Sequence, residues 1–155
     1  MDYKRSAKQM DKSGDTNGCS VIALAHILNI SYNEANELAM KKYGRKFRQG
    51  MYSVDLVSMY CDELRKVGKE LIKLDLDTVL KKVNKGSYNV KTVTTGNLKR
   101  AKLRGMHVAI TRDHVMTVKG GKVSDFMTNS ANHLKSLYRI QPAGARINLT
   151  ENKYN

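Results

Sequence analysis

The chain has no tryptophan, one proline, two cysteines, and half as many acidic as basic residues. A single proline excludes a proline-rich linker, and no stretch of low complexity or internal repeat is visible. Two cysteines, Cys19 and Cys61, are too few for a disulfide scaffold and too far apart in sequence for a clustered zinc site. No apolar run approaches the roughly 18 residues of a membrane span, so no membrane partner is expected. The N-terminal residues MDYKRSAKQMDKSGD contain no apolar signal-like stretch, so a reducing cytoplasm is the expected compartment, with both thiols free.

What remains is a chain of 155 residues, 41% hydrophobic and 27% charged. That fits one globular domain over residues 1–155, with a core of about 15–142 and polar termini. A chain of this length buries about 70% of its unfolded surface without help from a disulfide or metal. No metal site or cofactor is expected.

The charge is unusual. Twenty-eight Lys and Arg against fourteen Asp and Glu give a net +14. A field of that sign attracts polyanions such as nucleic acid, anionic lipid or an acidic protein, and by itself says nothing about catalysis. Two clusters concentrate it: Lys41, Lys42, Arg45, Lys46 and Arg48, interleaved with Tyr43 and Phe47, and Lys99, Arg100, Lys102 and Arg104. Both are candidate anion-binding or nucleic-acid-binding groups, although charge runs are commonly just solvated faces. No zinc-finger, RNP or glycine-rich phosphate motif accompanies them.

Residues 1–17 read as a polar loop ending in Ser13-Gly14-Asp15-Thr16-Asn17-Gly18. CSVIALAHIL, 19–28, predicts a buried helix closed by Asn29. Ser31 with Glu34 forms a capping-box signature for a second helix, 32–43, ending at Gly44. A third helix is predicted over about 53–67, from Leu56, Tyr60, Leu64 and Val67 at helical spacing.

The second half reads mostly as strands, at 70–74, 89–94, 107–111, 114–118, 122–126 and 136–141. A short helix capped by Asp77 runs to Val83, and another covers 97–104. Arg112-Asp113 and Gly120-Gly121 are the turn signals. Helices first and antiparallel strands second imply an α+β fold.

Cys19 follows a Gly/Asn/Asp loop and opens an apolar helix. Unpaired N–H groups and the positive end of the dipole there favour thiolate and can act as oxyanion donors. A free cysteine is nonetheless more often a small buried apolar residue than a nucleophile. The histidines shift that balance. His26, seven residues on, lies about 10 Å along the helix axis and is expected to be a packed residue, and His133 has no assigned role. His114 is the candidate base. If Gly120-Gly121 is a two-residue hairpin turn, Met116 faces Asp125, and His114 shares their face as a diagonal neighbour of Asp125. An Asp there can hold the imidazole in the tautomer that accepts a thiol proton.

Cys on a first helix, His on a later strand and Asp on the next resembles the order of the papain-like cysteine peptidases. More narrowly, the chain resembles small papain-fold proteins common in phage and bacterial genomes. The matching residues are Asn17, Cys19, Ala23-Leu24-Ala25, Ser31-Tyr32-Asn33-Glu34-Ala35, His114, Val115, Val118, Gly120, Val123 and Asp125. Gly18 and Asp113 stand where such proteins usually carry Asp and Gly, and Ser13 stands where papain itself has a Gln.

The resemblance implies a papain-like domain with its N-terminal helices packed on a C-terminal antiparallel sheet. It implies a cysteine hydrolase of a peptide or isopeptide bond, with deamidation or acyl transfer as variants. The triad would be Cys19, His114 and Asp125, with Asn17 or the Cys19 N–H as oxyanion donor. A protein or peptide would be the substrate, in the host cytoplasm if a phage encodes the chain. The competing expectation is a non-catalytic basic protein, a phage factor that binds nucleic acid or an acidic host protein.

Overall fold

A computed structural model describes residues 3–123 and 131–144. The fold is α+β, as the order of elements implies. Five α-helices are described: α1 Tyr3–Lys12, α2 Cys19–Leu28, α3 Tyr32–Tyr43, α4 Ser53–Lys66 and α5 Leu76–Val83. The strands are β1 Lys69–Lys73, β2 Met106–Ile110, β3 Val115–Lys119, β4 Lys122–Val123 and β5 Ser136–Pro142. They form one sheet, ordered β1-β5-β2-β3-β4, in which every pairing is antiparallel.

The sheet separates two apolar clusters. On β2, Val108 and Ile110 face the cluster built by α2, α3 and α4, whereas Ala109 faces the one built by α5 and residues 93–103. On β3, Val115 joins the first and Met116 and Val118 the second, the alternation a strand imposes. Helix α2 is buried on all sides, residues 20–27 included, so it lies in the middle of the helical layer. Fully burying each of its larger aliphatic side chains contributes about 1.5–3 kcal/mol.

Several expectations change. The polar N-terminus contains α1, whose straight-chain residues favour helix. Ser6 is fully buried, and Gln9 accepts a hydrogen bond from the Tyr32 N–H at 2.9 Å, so a polar contact docks α1. The helix at 76 is capped by Asp75 rather than Asp77, for Asp75 accepts from the Asp77 N–H and the Thr78 hydroxyl. The third helix ends at Lys66 and β1 begins at Lys69, each within a residue of its expected bound.

Residues 89–94 form no strand beyond a bridge from Thr94 to His133. There the side chain of Asn84 bonds both the N–H and the carbonyl of Val90, and that of Asn97 bonds the Thr94 N–H and the Thr92 carbonyl. Local side-chain partners have replaced a ladder. The basic helix at 97–104 is a 3-10 turn over Leu98–Ala101, ended by Lys102 at a left-handed φ of 52°.

Candidate active site

The nucleophile loop is shaped by two residues of unusual backbone. Asn17 sits at φ 55°, a conformation that asparagine tolerates, and turns the chain into α2. Gly18 is the N-cap and supplies no side-chain hydrogen bond to the helix. A Cβ at Gly18 would lie 2.5 Å from Tyr32 Oη and 2.7 Å from Met10 Sδ, so any larger residue forces its neighbours to shift. The glycine that departs from the resembling pattern therefore has a steric cause. It also leaves the first turn without a side-chain capping acceptor, and the Ser20 N–H hydrogen-bonds the Cys19 sulfur.

A buried ion pair fixes the same loop. Asp15 and Arg45 form two parallel contacts, Nη1 to Oδ2 at 2.8 Å and Nη2 to Oδ1 at 3.1 Å, with neither side chain exposed. Tyr32 Oη donates to Asp15 Oδ2 at 2.5 Å, and the N–H groups of Thr16 and Arg48 donate to Oδ1. Arg45 also donates to the Thr16 carbonyl and to Asn36 Oδ1, so loop 13–18 is tied to α3 and to residues 45–48. Burial alone would raise the Asp15 carboxyl, but Arg45, Tyr32 and the Arg48 N–H hold it down to about 2.

Arg45 was expected to reach an external anion. It is instead 4% exposed, and its guanidinium is committed to Asp15. Lys42 pairs with Glu63 at 3.1 Å, Lys41 with Glu37, and the Tyr43 hydroxyl donates to Glu63. The first basic cluster is therefore largely neutralised within the chain. Lys46 and Arg48 are exposed, and the Arg48 guanidinium lies 5.4 Å over the Phe47 ring. Asn17 Nδ2 donates to the Arg48 carbonyl at 3.1 Å, so this oxyanion candidate also ties the nucleophile loop to residue 48.

His114 follows the β2–β3 turn at Arg112-Asp113. The Thr111 N–H donates to the His114 carbonyl at 2.8 Å, closing the turn and fixing the His114 backbone. The His114 imidazole is hydrogen-bonded to the Cys19 thiol. Burial by itself would push the thiol up. The His114 hydrogen bond, the Val115 and Ser20 N–H groups and the His114 charge override it and hold the thiol below its usual value. Cys61 behaves oppositely, its thiol pushed up by burial.

A second contact sets this one in register. His26 Nδ1 and Thr117 Oγ1 hydrogen-bond at 2.9 Å in the buried interface of α2 and β3. From Cys19 to His26 the helix rises about 10 Å, and from His114 to Thr117 the strand rises about 10 Å. Two equal spans running the same way bring both pairs together. The sequence placed His26 as a packed residue, and it is 8% exposed. Its bonding to Thr117 carried no sequence signal, because the partners are 91 residues apart.

A cleft of about 390 Å³ opens beside His114, bordered by Arg112, Asp113, Asn132, His133 and Lys135. His133, given no role from sequence, is on this rim, where its Nδ1 hydrogen-bonds Thr92 Oγ1 at 2.7 Å. The hairpin turns at Gly120-Gly121 as expected, both glycines at positive φ, pairing Lys119 with Lys122 and Val118 with Val123. Asp125 lies outside the described residues. Among the described residues no group of three or more His, Cys, Asp or Glu could hold a metal ion. No helix of the described chain is long and apolar enough to cross a membrane.

Fold and site together define an α+β chain with a thiol–imidazole pair at the junction of its helical and β layers. No family model, curated protein or solved structure matches the chain.

Proposed function

We propose that the chain is a cysteine hydrolase of papain-like arrangement, acting on an acyl group of a protein or peptide. The observation that carries this reading is the hydrogen bond between His114 and a Cys19 thiol held below its usual pKa. Cys19 thiolate attacks the acyl carbon, forming a C–S bond and placing negative charge on the carbonyl oxygen. In this reading, first-turn N–H groups of α2, without a side-chain cap at Gly18, donate hydrogen bonds to that oxygen. Collapse of the intermediate breaks the C–N bond as the His114 imidazolium donates its proton to the leaving nitrogen. Water, deprotonated by His114, then attacks the thioester, releasing the acid and restoring the thiol.

The cleft beside His114 supports a substrate with a polar or acidic group, since Arg112 and Lys135 outnumber Asp113 among the described residues of its rim. Asp125 is assigned the orienting role in this proposal. A reducing compartment suits a nucleophile that works as a free thiol.

The test is alkylation of the two thiols by iodoacetamide across a pH series. Cys19 should be modified faster than Cys61 near neutral pH, and His114→Ala should remove the difference. Equal rates in the unsubstituted chain would refute the reading.

A further inference from the structure

On the opposite face of the sheet from the helical layer, α5 and the 3-10 turn enclose a groove of about 580 Å³. Among the described residues its wall carries Lys82, Lys85, Lys99, Arg100 and Lys102, with Gly86 and Ala101 between them and no acid. The surrounding sequence matches it. From Thr78 to Arg112 the chain has nine Lys and Arg and no Asp or Glu. In the first basic cluster, Lys41, Lys42 and Arg45 are held by carboxylates of their own chain. Among the described residues, Lys85, Lys99, Arg100 and Lys102 have no such partner.

The groove is also set in place before any ligand arrives. Arg100 Nε donates to the Val83 carbonyl at 3.1 Å and Nη2 to the Lys85 carbonyl at 3.5 Å, using two of its five N–H groups. Its guanidinium stacks 3.9 Å from the centre of the Tyr88 ring. Lys82 is lowered by burial and then by the charges of Lys85 and Arg104, so like charges are crowded here. Each positive group close to another raises the energy of the empty groove, and a bound anion would relieve it.

We propose that this groove binds the phosphodiester backbone of a single-stranded nucleic acid. A cavity of that volume is about 8 Å across, which admits one sugar–phosphate backbone. Exposed Tyr88, already paired with Arg100, supplies an aromatic platform beside the phosphates, a combination that holds bases without reading their sequence. An acidic peptide fits less well, because among the described residues Ala101 is the only apolar side chain on the wall. The cationic surface continues past the groove. A Cβ on Gly121 would lie 3.6 Å from Leu103 O and 4.0 Å from Lys99 Cα, so the β3–β4 turn packs here and brings exposed Lys119 and Lys122 alongside.

The experiment is fluorescence anisotropy of the full chain with a labelled oligonucleotide of about 12 nucleotides, single-stranded and duplex, over a salt series. The test variant is Lys85→Ala, Lys99→Ala and Lys102→Asn together, asparagine being chosen to tolerate the left-handed backbone at 102. The control removes the same charge elsewhere, with exposed Lys8→Ala, Lys12→Ala and Lys69→Ala. Melting curves of both variants confirm that they fold.

The groove variant should lose about tenfold or more in single-strand affinity at about 50 mM salt, with a log–log salt slope shallower by about 2. The control should lose less than about threefold. Equal losses in the two variants would show attraction by net charge alone and overturn the proposal. So would absence of binding, an unchanged slope, equal affinity for the duplex, or equal competition by polyglutamate.

Discussion

His26 and Thr117 hydrogen-bond across the α2–β3 interface at 2.9 Å, two helical turns below the point where Cys19 meets His114. The pair acts as a pin: it fixes how far the helix slides along the strand. It does not touch the thiol. His26→Ala should therefore leave a folded protein, destabilised by about 1–3 kcal/mol because Thr117 loses a buried partner. The neutral-pH alkylation rate of Cys19 should fall toward that of Cys61. His26→Asn or His26→Gln, able to bond Thr117 again, should recover part of it, whereas a merely structural role would track melting temperature alone.

The Asp15–Arg45 pair should be the most sensitive point of the nucleophile loop. Arg45→Ala leaves a buried carboxylate facing Tyr32 and Thr16, and breaking such a pair costs about 3–5 kcal/mol. Arg45→Lys should rescue little, since an ammonium cannot reproduce two parallel contacts. Denaturant titration measures both.

Gly18 is predicted to be intolerant of any side chain. Gly18→Ala places a methyl group where Tyr32 Oη and Met10 Sδ already are, so α1 or Tyr32 must shift. A destabilisation of about 1–3 kcal/mol is expected, typical of overpacking. Gly18→Asp should add a second effect, a carboxylate competing for the first-turn N–H groups, and should raise the Cys19 pKa read from the alkylation profile. Cys61 should be unchanged in both variants.

Acid should destabilise the protein in two windows. His107 is fully buried opposite Arg139; burial, then the Arg139 charge, push its pKa down to about 4 against a slight opposing effect of the Gly105 backbone. Since the unfolded state binds this proton first, the stabilisation is complete above about 6.5 and is lost as pH falls toward 4. Asp15, with a pKa near 2, contributes stability that is complete above about 4 and lost as pH falls through 2. His107→Leu should remove the upper window and keep the lower one. Unfolding free energies measured between pH 7 and 2 give the check, with about 3 kcal/mol expected to vanish from the upper window.

Much of the helical layer could be read directly because its signals are local. Apolar residues 19–28 with Asn29 as stop, Ser31 with Glu34 as start, and Gly44 as end reappear as α2 and α3 with their bounds unchanged. The Ser31 hydroxyl does accept the Glu34 N–H, at 3.1 Å. Gly120-Gly121 fixed the β3–β4 register for a similar reason: two residues at positive φ permit one tight hairpin. Elements held by distant partners were not legible. Helix α1 depends on Tyr32, 23 residues after Gln9, and Arg45 changed from a free cation to a buried one because Asp15 lies 30 residues earlier.

The amino-acid order alone thus determined where helices begin and stop, which thiol opens an apolar helix, and that cations outnumber acids. Tertiary structure decided which of those cations are spent inside the molecule, why residue 18 must lack a side chain, and that Cys19 and His114 touch. The physical reason is range. Backbone propensity and capping act over a few residues, whereas burial and charge pairing depend on groups that only folding brings together.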